Sequence, residues 1–91
     1  MGFERYTYMT RDEEILSVVR QFVKDLGQDP AKIVPSARLS DLGIDSLHAV
    51  DLVFRFEERF EIDIPMENFH ATTVAEALAF VEKLLPTPEA R

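Results

Sequence analysis

The residues of this 91-residue sequence that could do chemistry are few. Ser46 stands between Asp45 and Leu47, histidines occur at His48 and His70, acids recur downstream at Asp51, Glu57 and Glu58, and there is no cysteine. A serine hydroxyl becomes a nucleophile only when a base within hydrogen-bond reach takes its proton. His48 is two residues further on, which on a helix turns it roughly 200° away from Ser46. His70 belongs to a different segment, and a lone histidine is more often a surface residue than a base. No Gly-rich phosphate loop, His-Glu metal spacing or paired-acid motif accompanies them, so neither a catalytic set nor a metal site of the chain's own is expected. An Asp-Ser pair ahead of a helix is most simply an N-cap. The lack of cysteine excludes a disulfide scaffold, a thiolate metal site and a thiol nucleophile, and any thiol chemistry must be borrowed.

The elements around these residues read as all-α. Thr10 followed by Glu13 forms a capping box, and Ile15, Leu16, Val18, Val19, Phe22, Val23 and Leu26 share one face before Gly27, which predicts a first helix over 11–26. From Gln28 to Asp45 the periodicity disappears and Pro30, Pro35 and Gly43 intervene. A long ordered loop is expected there, anchored by Ile33, Leu39, Leu42 and Ile44. A second helix starts at Asp45 or Ser46 and ends near Phe60, Pro65 opens a short third turn through Phe69, and Thr73 with Glu76 caps a last helix that Pro86 stops. The expected fold is an antiparallel four-helix bundle, three main helices and one short, with a long first loop. Hydrophobic residues at 46% and charged residues at 30% fit one globular core. We place the domain at 10–85, with an amino-terminal extension at 1–9 and a flexible tail at 86–91.

The second helix carries more apolar surface than its core needs. Ala49, Leu52, Val53, Phe56 and Phe60 form the core stripe, whereas Leu47, Val50 and Phe54 fall on another side, rimmed by Asp51, Glu57 and Glu58. That face reads as a partner surface, the competing reading being burial under the short third helix. His48, Arg55 and Arg59 occupy the remaining side, away from these acids, as a solvated face with local ion pairs. Seventeen acidic against ten basic residues give a net charge of −7, which repels nucleic acid and anionic lipid and suits basic partner proteins. No apolar run approaches the roughly 18 residues that would cross a bilayer. The amino terminus lacks the pattern of a secretion signal, and Tyr6 stands where myristoylation requires Ser or Thr. A cytoplasmic monomer is the expectation.

The string Leu42-Gly43-Ile44-Asp45-Ser46-Leu47 resembles the attachment motif of the acyl carrier protein family. Leu39 precedes it, and Phe60, Ile64-Pro65 and Thr73-Val74 follow in the family's order and approximate spacing. The resemblance implies a four-helix bundle with a long first loop and a carrier, not an enzyme. It implies that Ser46 receives 4′-phosphopantetheine from a phosphopantetheinyl transferase using coenzyme A and magnesium, and that the arm's thiol carries acyl groups as thioesters for fatty-acid, lipid or polyketide enzymes. A helix start suits the added phosphate, because free N–H groups and the positive dipole end stabilise it. Asp45 would lie beside the cofactor and help orient metal and phosphate during transfer. Leu47 and Val50, with Phe54 beside them, would meet partner enzymes or the acyl chain, and Asp51, Glu57 and Glu58 would meet basic docking surfaces. His48 stands where many members have an acid, and Arg55 and Arg59 dilute an otherwise acidic helix; these departures point as much to a specialised carrier as to the general one. Ile44 resembles the acyl type, since peptidyl carriers commonly have glycine there. The alternatives are a peptidyl or aminoacyl carrier and an unmodified interaction module with the same fold.

Overall fold

The structure is a computed structural model that describes residues 11–85. The expected extension at 1–9, the cap at Thr10, the stop at Pro86 and the tail at 86–91 lie outside the described residues. The amphipathic segments form three helices, α1 (Arg11–Asp25), α2 (Ser46–Phe60) and α3 (Val74–Leu84). Helix α1 ends one residue earlier than its apolar pattern suggests. Gly27, at φ +81°, reverses the chain, and the N–H groups of Gly27 and Gln28 donate to the carbonyls of Lys24 and Val23 at 2.9 and 3.0 Å. This closes the last turn as a Schellman motif. Helix α3 starts as its capping box predicts, the Thr73 hydroxyl accepting from the Glu76 N–H at 3.2 Å. The reciprocal bonds are shifted by one residue, because the Glu76 carboxylate accepts from both the N–H and the hydroxyl of Thr72 at 2.8 and 2.9 Å. The short fourth helix is a single 3₁₀ turn, Met66–Asn68, which ends where Phe69 becomes extended and enters the core.

The long loop is ordered by short turns and by pairing with a distant segment. Asp29 caps a 3₁₀ turn at Pro30–Lys32, and a second turn spans Ser40–Leu42. Between them the chain pairs with the residues that lead into α3. The Leu39 N–H donates to the Thr72 carbonyl, the Val74 N–H to the Ala37 carbonyl and the Ala75 N–H to the Pro35 carbonyl, each at 2.9 Å. Arg38 and Thr73 form an isolated antiparallel bridge at the centre of this zipper. The predicted anchors Leu39, Leu42 and Ile44 are buried, and Ile33 is partly so.

Helix α1 packs against both α2 and α3. Ile15, Val19 and Val23 from α1 meet Leu52, Val53 and Phe56 from α2 and Val74 and Val81 from α3, all nearly inaccessible, and no polar side chain is buried among the described residues. Such a core derives its stability from apolar area removed from water. In the expected α2 stripe, Leu52, Val53 and Phe56 are fully buried, while Ala49 and Phe60 pack against the core from its edge. Arg55 is engaged between helices: its guanidinium pairs with Asp25 of α1 at 2.8 Å and lies 4.8 Å over the Phe22 ring. Phe56→Ala should cost about 3–5 kcal/mol through lost burial and the cavity left behind. Urea unfolding will read that loss. Arg55→Ala, whose contacts are half exposed, should cost much less.

Candidate attachment site and adjoining cleft

The site begins at Gly43. Its φ of +84° closes the Ser40–Leu42 turn, and a Cβ there would come within 3.1 Å of the Gln28 side chain, so both conformation and space favour glycine. The next N–H, that of Ile44, donates to the Leu39 carbonyl at 3.0 Å, and the Ile44 side chain is buried. With Ile44 anchored, Asp45 is extended at the mouth of α2 and its carboxylate accepts the His48 N–H at 2.9 Å. Asp45 is therefore the N-cap. Ser46 is the first helical residue, exposed, and its hydroxyl makes no hydrogen bond among the described residues. The reading of Ser46 as the cap is thereby removed.

The backbone N–H of His48 holds the Asp45 carboxyl below the usual carboxylate range; partial desolvation opposes this, and the nearby imidazole adds to it. His48 Nδ1 lies 2.9 Å from Asp45 Oδ1, although out of line for a hydrogen bond. Sequence reading set His48, Arg55 and Arg59 apart from the acids of α2, but Glu58 shares a hollow with Arg55 and Arg59, and His48 lies against Asp45, one turn back on the helix.

Beside Ser46 opens a cleft of about 730 Å³ between the long loop, the start of α2, the Met66–Asn68 turn and the segment before α3. Leu39, Ile44, Ala49, Met66 and Phe69 supply its apolar walls, and Arg38, Ser40, Asp45, Ser46 and Thr72 its polar ones. Phe69 is held from behind by Phe80, edge to face at 5.3 Å. Leu47, Val50 and Phe54, expected to meet partner enzymes or the acyl chain, do not line it. Arg38 and Thr72 were missed because only the loop zipper brings them to Ser46. Met66 and Phe69 carried a signal in the short turn behind Pro65.

The outer face of α2 is left uncovered by the described residues. Leu47 is 79% and Phe54 57% exposed, so the short turn does not cover them, and Val50 is partly buried. Asp51 and Glu58 are exposed as expected. Glu57 differs: its carboxylate accepts the Ile64 N–H at 2.7 Å and its carbonyl accepts from Glu61 and Ile62, so it ties the return segment to α2. At that end Phe54 and Glu58 share a hollow of about 580 Å³ with Glu61 and Asp63, acids that the sequence reading had left out. Glu61 sits at φ +56°, a left-handed turn that no local pattern announces.

Among the described residues the Ser46 hydroxyl is thus unengaged, on the first residue of a helix and beside a partly apolar cleft. The family model described as "Phosphopantetheine attachment site" matches residues 17–81. The chain is 41% identical over 75 residues to an acyl carrier protein of Phenylobacterium zucineum, covering 79% of this chain and 95% of that protein. It is 44% identical over 71 residues to an acyl carrier protein of Caulobacter vibrioides, covering 75% and 91%. A putative mitochondrial acyl carrier protein of Schizosaccharomyces pombe is 40% identical over 82 residues, covering 88% and 69%. The chain belongs to the acyl carrier protein family, whose prosthetic group is a covalently attached phosphopantetheine. It is a carrier for biosynthetic enzymes and not itself a catalyst. Among the described residues no helix is long and apolar enough to cross a membrane.

The capping geometry predicts a pH signature. A carboxylate whose pKa is depressed on folding stabilises the fold above its unfolded pKa and loses that contribution as pH falls through the folded one. Asp45→Ala should therefore lower the melting temperature at pH 7, and the gap to the unsubstituted protein should close below about pH 4, the ordinary aspartate range. Thermal melts by circular dichroism across that interval give the test.

Proposed function

We propose that Ser46 bears the 4′-phosphopantetheine arm and that the chain carries acyl groups as thioesters to enzymes of fatty-acid, lipid or polyketide biosynthesis. The observation that carries this reading is the division of labour at the mouth of α2. Asp45 does the capping, and Ser46 keeps an exposed, unengaged hydroxyl on the first residue of the helix. In the transfer, the Ser46 oxygen forms a bond to the pantetheine-side phosphorus of coenzyme A. The pyrophosphate P–O bond breaks, the nucleotide leaves with its phosphates, and the serine proton passes to a base of the transferase or to water. The residues present fit the group, since a phosphodiester on Ser46 meets the positive end of α2. When attached, the arm supplies a terminal thiol that holds the acyl group as a thioester.

The chain's own residues do the remaining work. The apolar walls from Leu39, Ile44, Ala49, Met66 and Phe69 favour a hydrocarbon chain over water, each buried methylene being worth about 0.8 kcal/mol. The outer face of α2 is available to partner enzymes: Leu47 and Phe54, with the half-buried Val50, provide apolar contact, and Asp51 and Glu58 steer a basic surface toward the root of the arm. Glu57 serves this surface less, because one of its oxygens is committed to the Ile64 N–H.

Incubation with a phosphopantetheinyl transferase and coenzyme A should add one phosphopantetheine mass. Ser46→Ala should abolish that addition while keeping the helical circular-dichroism signal. Modification persisting at Ser17, Ser36 or Ser40 would defeat the assignment. Docking is tested by transfer kinetics at two ionic strengths. Asp51→Lys and Glu58→Lys should slow transfer several-fold at low salt, where screening is weak, and less at high salt, while Arg59→Glu should change little. Damage from Arg59→Glu with silent acidic variants would move docking to the other face of α2.

A further inference from the structure

The polar wall of the cleft contains a cation, Arg38, with no partner among the described residues. Arg38 lines the cleft that Ser46 also lines, and its backbone is fixed by the bridge to Thr73 and the flanking Leu39 to Thr72 hydrogen bond. Among the described residues its guanidinium has neither an ion pair nor a hydrogen bond. The basic groups on α2 are already placed: Arg55 on Asp25 and Phe22, Arg59 over Phe60, and His48 against Asp45. Among the described residues Asp45 is the only acid lining this cleft, and its Oδ1 already accepts the His48 N–H. A phosphodiester on Ser46 would add negative charge beside Asp45 in a chain already at −7. A guanidinium holds two phosphate oxygens through parallel N–H bonds, which makes arginine well suited to that charge.

Resting on attachment at Ser46, we infer that Arg38 holds the phosphodiester of the arm and so seats the arm over the cleft instead of along the Leu47 face. The phosphate is the fitting anion because its position is set by Ser46, on the same cleft. A carboxylate on the cargo would lie the whole length of the arm away. A partner enzyme that draws the arm out must displace this contact, which a basic docking surface can do by offering the phosphate another cation.

The test compares apo and holo protein by nuclear magnetic resonance, with attachment confirmed by mass. In the unsubstituted protein the Arg38 Nε–Hε resonance should move on conversion from apo to holo. The holo ³¹P resonance should be displaced by Arg38→Gln and restored in large part by Arg38→Lys. Raising salt toward 1 M, where the screening length is about 3 Å, should bring the unsubstituted ³¹P resonance toward that of Arg38→Gln and leave the variant nearly unmoved. Mass gain with an unmoved Arg38 resonance and identical ³¹P positions would overturn the Arg38 contact alone. A response seen only when the cargo bears a free carboxylate would likewise overturn it. Failure of Ser46 to gain the mass would overturn this inference together with the attachment it rests on.

Discussion

The Asp45 carboxylate on the His48 N–H is the contact on which the site depends. A helix start leaves N–H groups that need acceptors, and the residue best placed to supply one is the one before the first turn. Because Asp45 fills that role, Ser46 stays exposed and its hydroxyl makes no hydrogen bond among the described residues. Had the serine been the cap, modifying it would have removed the helix's own acceptor. Placing the acid first and the serine second makes the helix cap independent of the Ser46 hydroxyl.

The same economy runs through the loop ahead of them. Gly43 permits the turn, Ile44 anchors it in the core, and the hydrogen bonds of Leu39, Val74 and Ala75 clasp the loop to the entrance of α3. A loop of this length would ordinarily be mobile. Here its backbone groups find partners in a segment 33 to 40 residues further along the chain, which turns it into one wall of a cleft. The wall is polar where Arg38 and Thr72 meet solvent and apolar where Leu39 and Ile44 face inward, so one opening carries both kinds of surface.

Charge is divided along α2 with equal economy. Asp51 and Glu58 are exposed and make no ion pair among the described residues, whereas Glu57 fastens the return segment and Arg55 fastens α1. Treating every charged residue on the helix as a recognition element would count structural ties as docking sites. The surface that is left, Leu47 and Phe54 among unengaged acids, is both apolar and negatively charged. That combination favours fast encounters with a basic partner over tight binding.

Much of this was legible in the amino-acid order. Although only the structure chooses between Asp45 and Ser46 as the cap of α2, the apolar periods of α1, α2 and α3, the cap at Thr73, the stop at Gly27 and the motif around Ser46 are local patterns that rules of helix capping and amphipathicity are enough to read. So was the excess apolar face of α2, because helical spacing alone puts Leu47 and Phe54 off the core stripe. The tertiary structure decided what depends on segments far apart in sequence. It set the pairing of Arg38 with Thr73, the placement of Arg38, Met66 and Phe69 around Ser46, the commitment of Glu57 to Ile64 and the contact of Arg55 with Asp25 and Phe22. A periodic pattern states which way a side chain points from its own helix. What it meets there is fixed only when the chain folds and distant backbone donors find their acceptors.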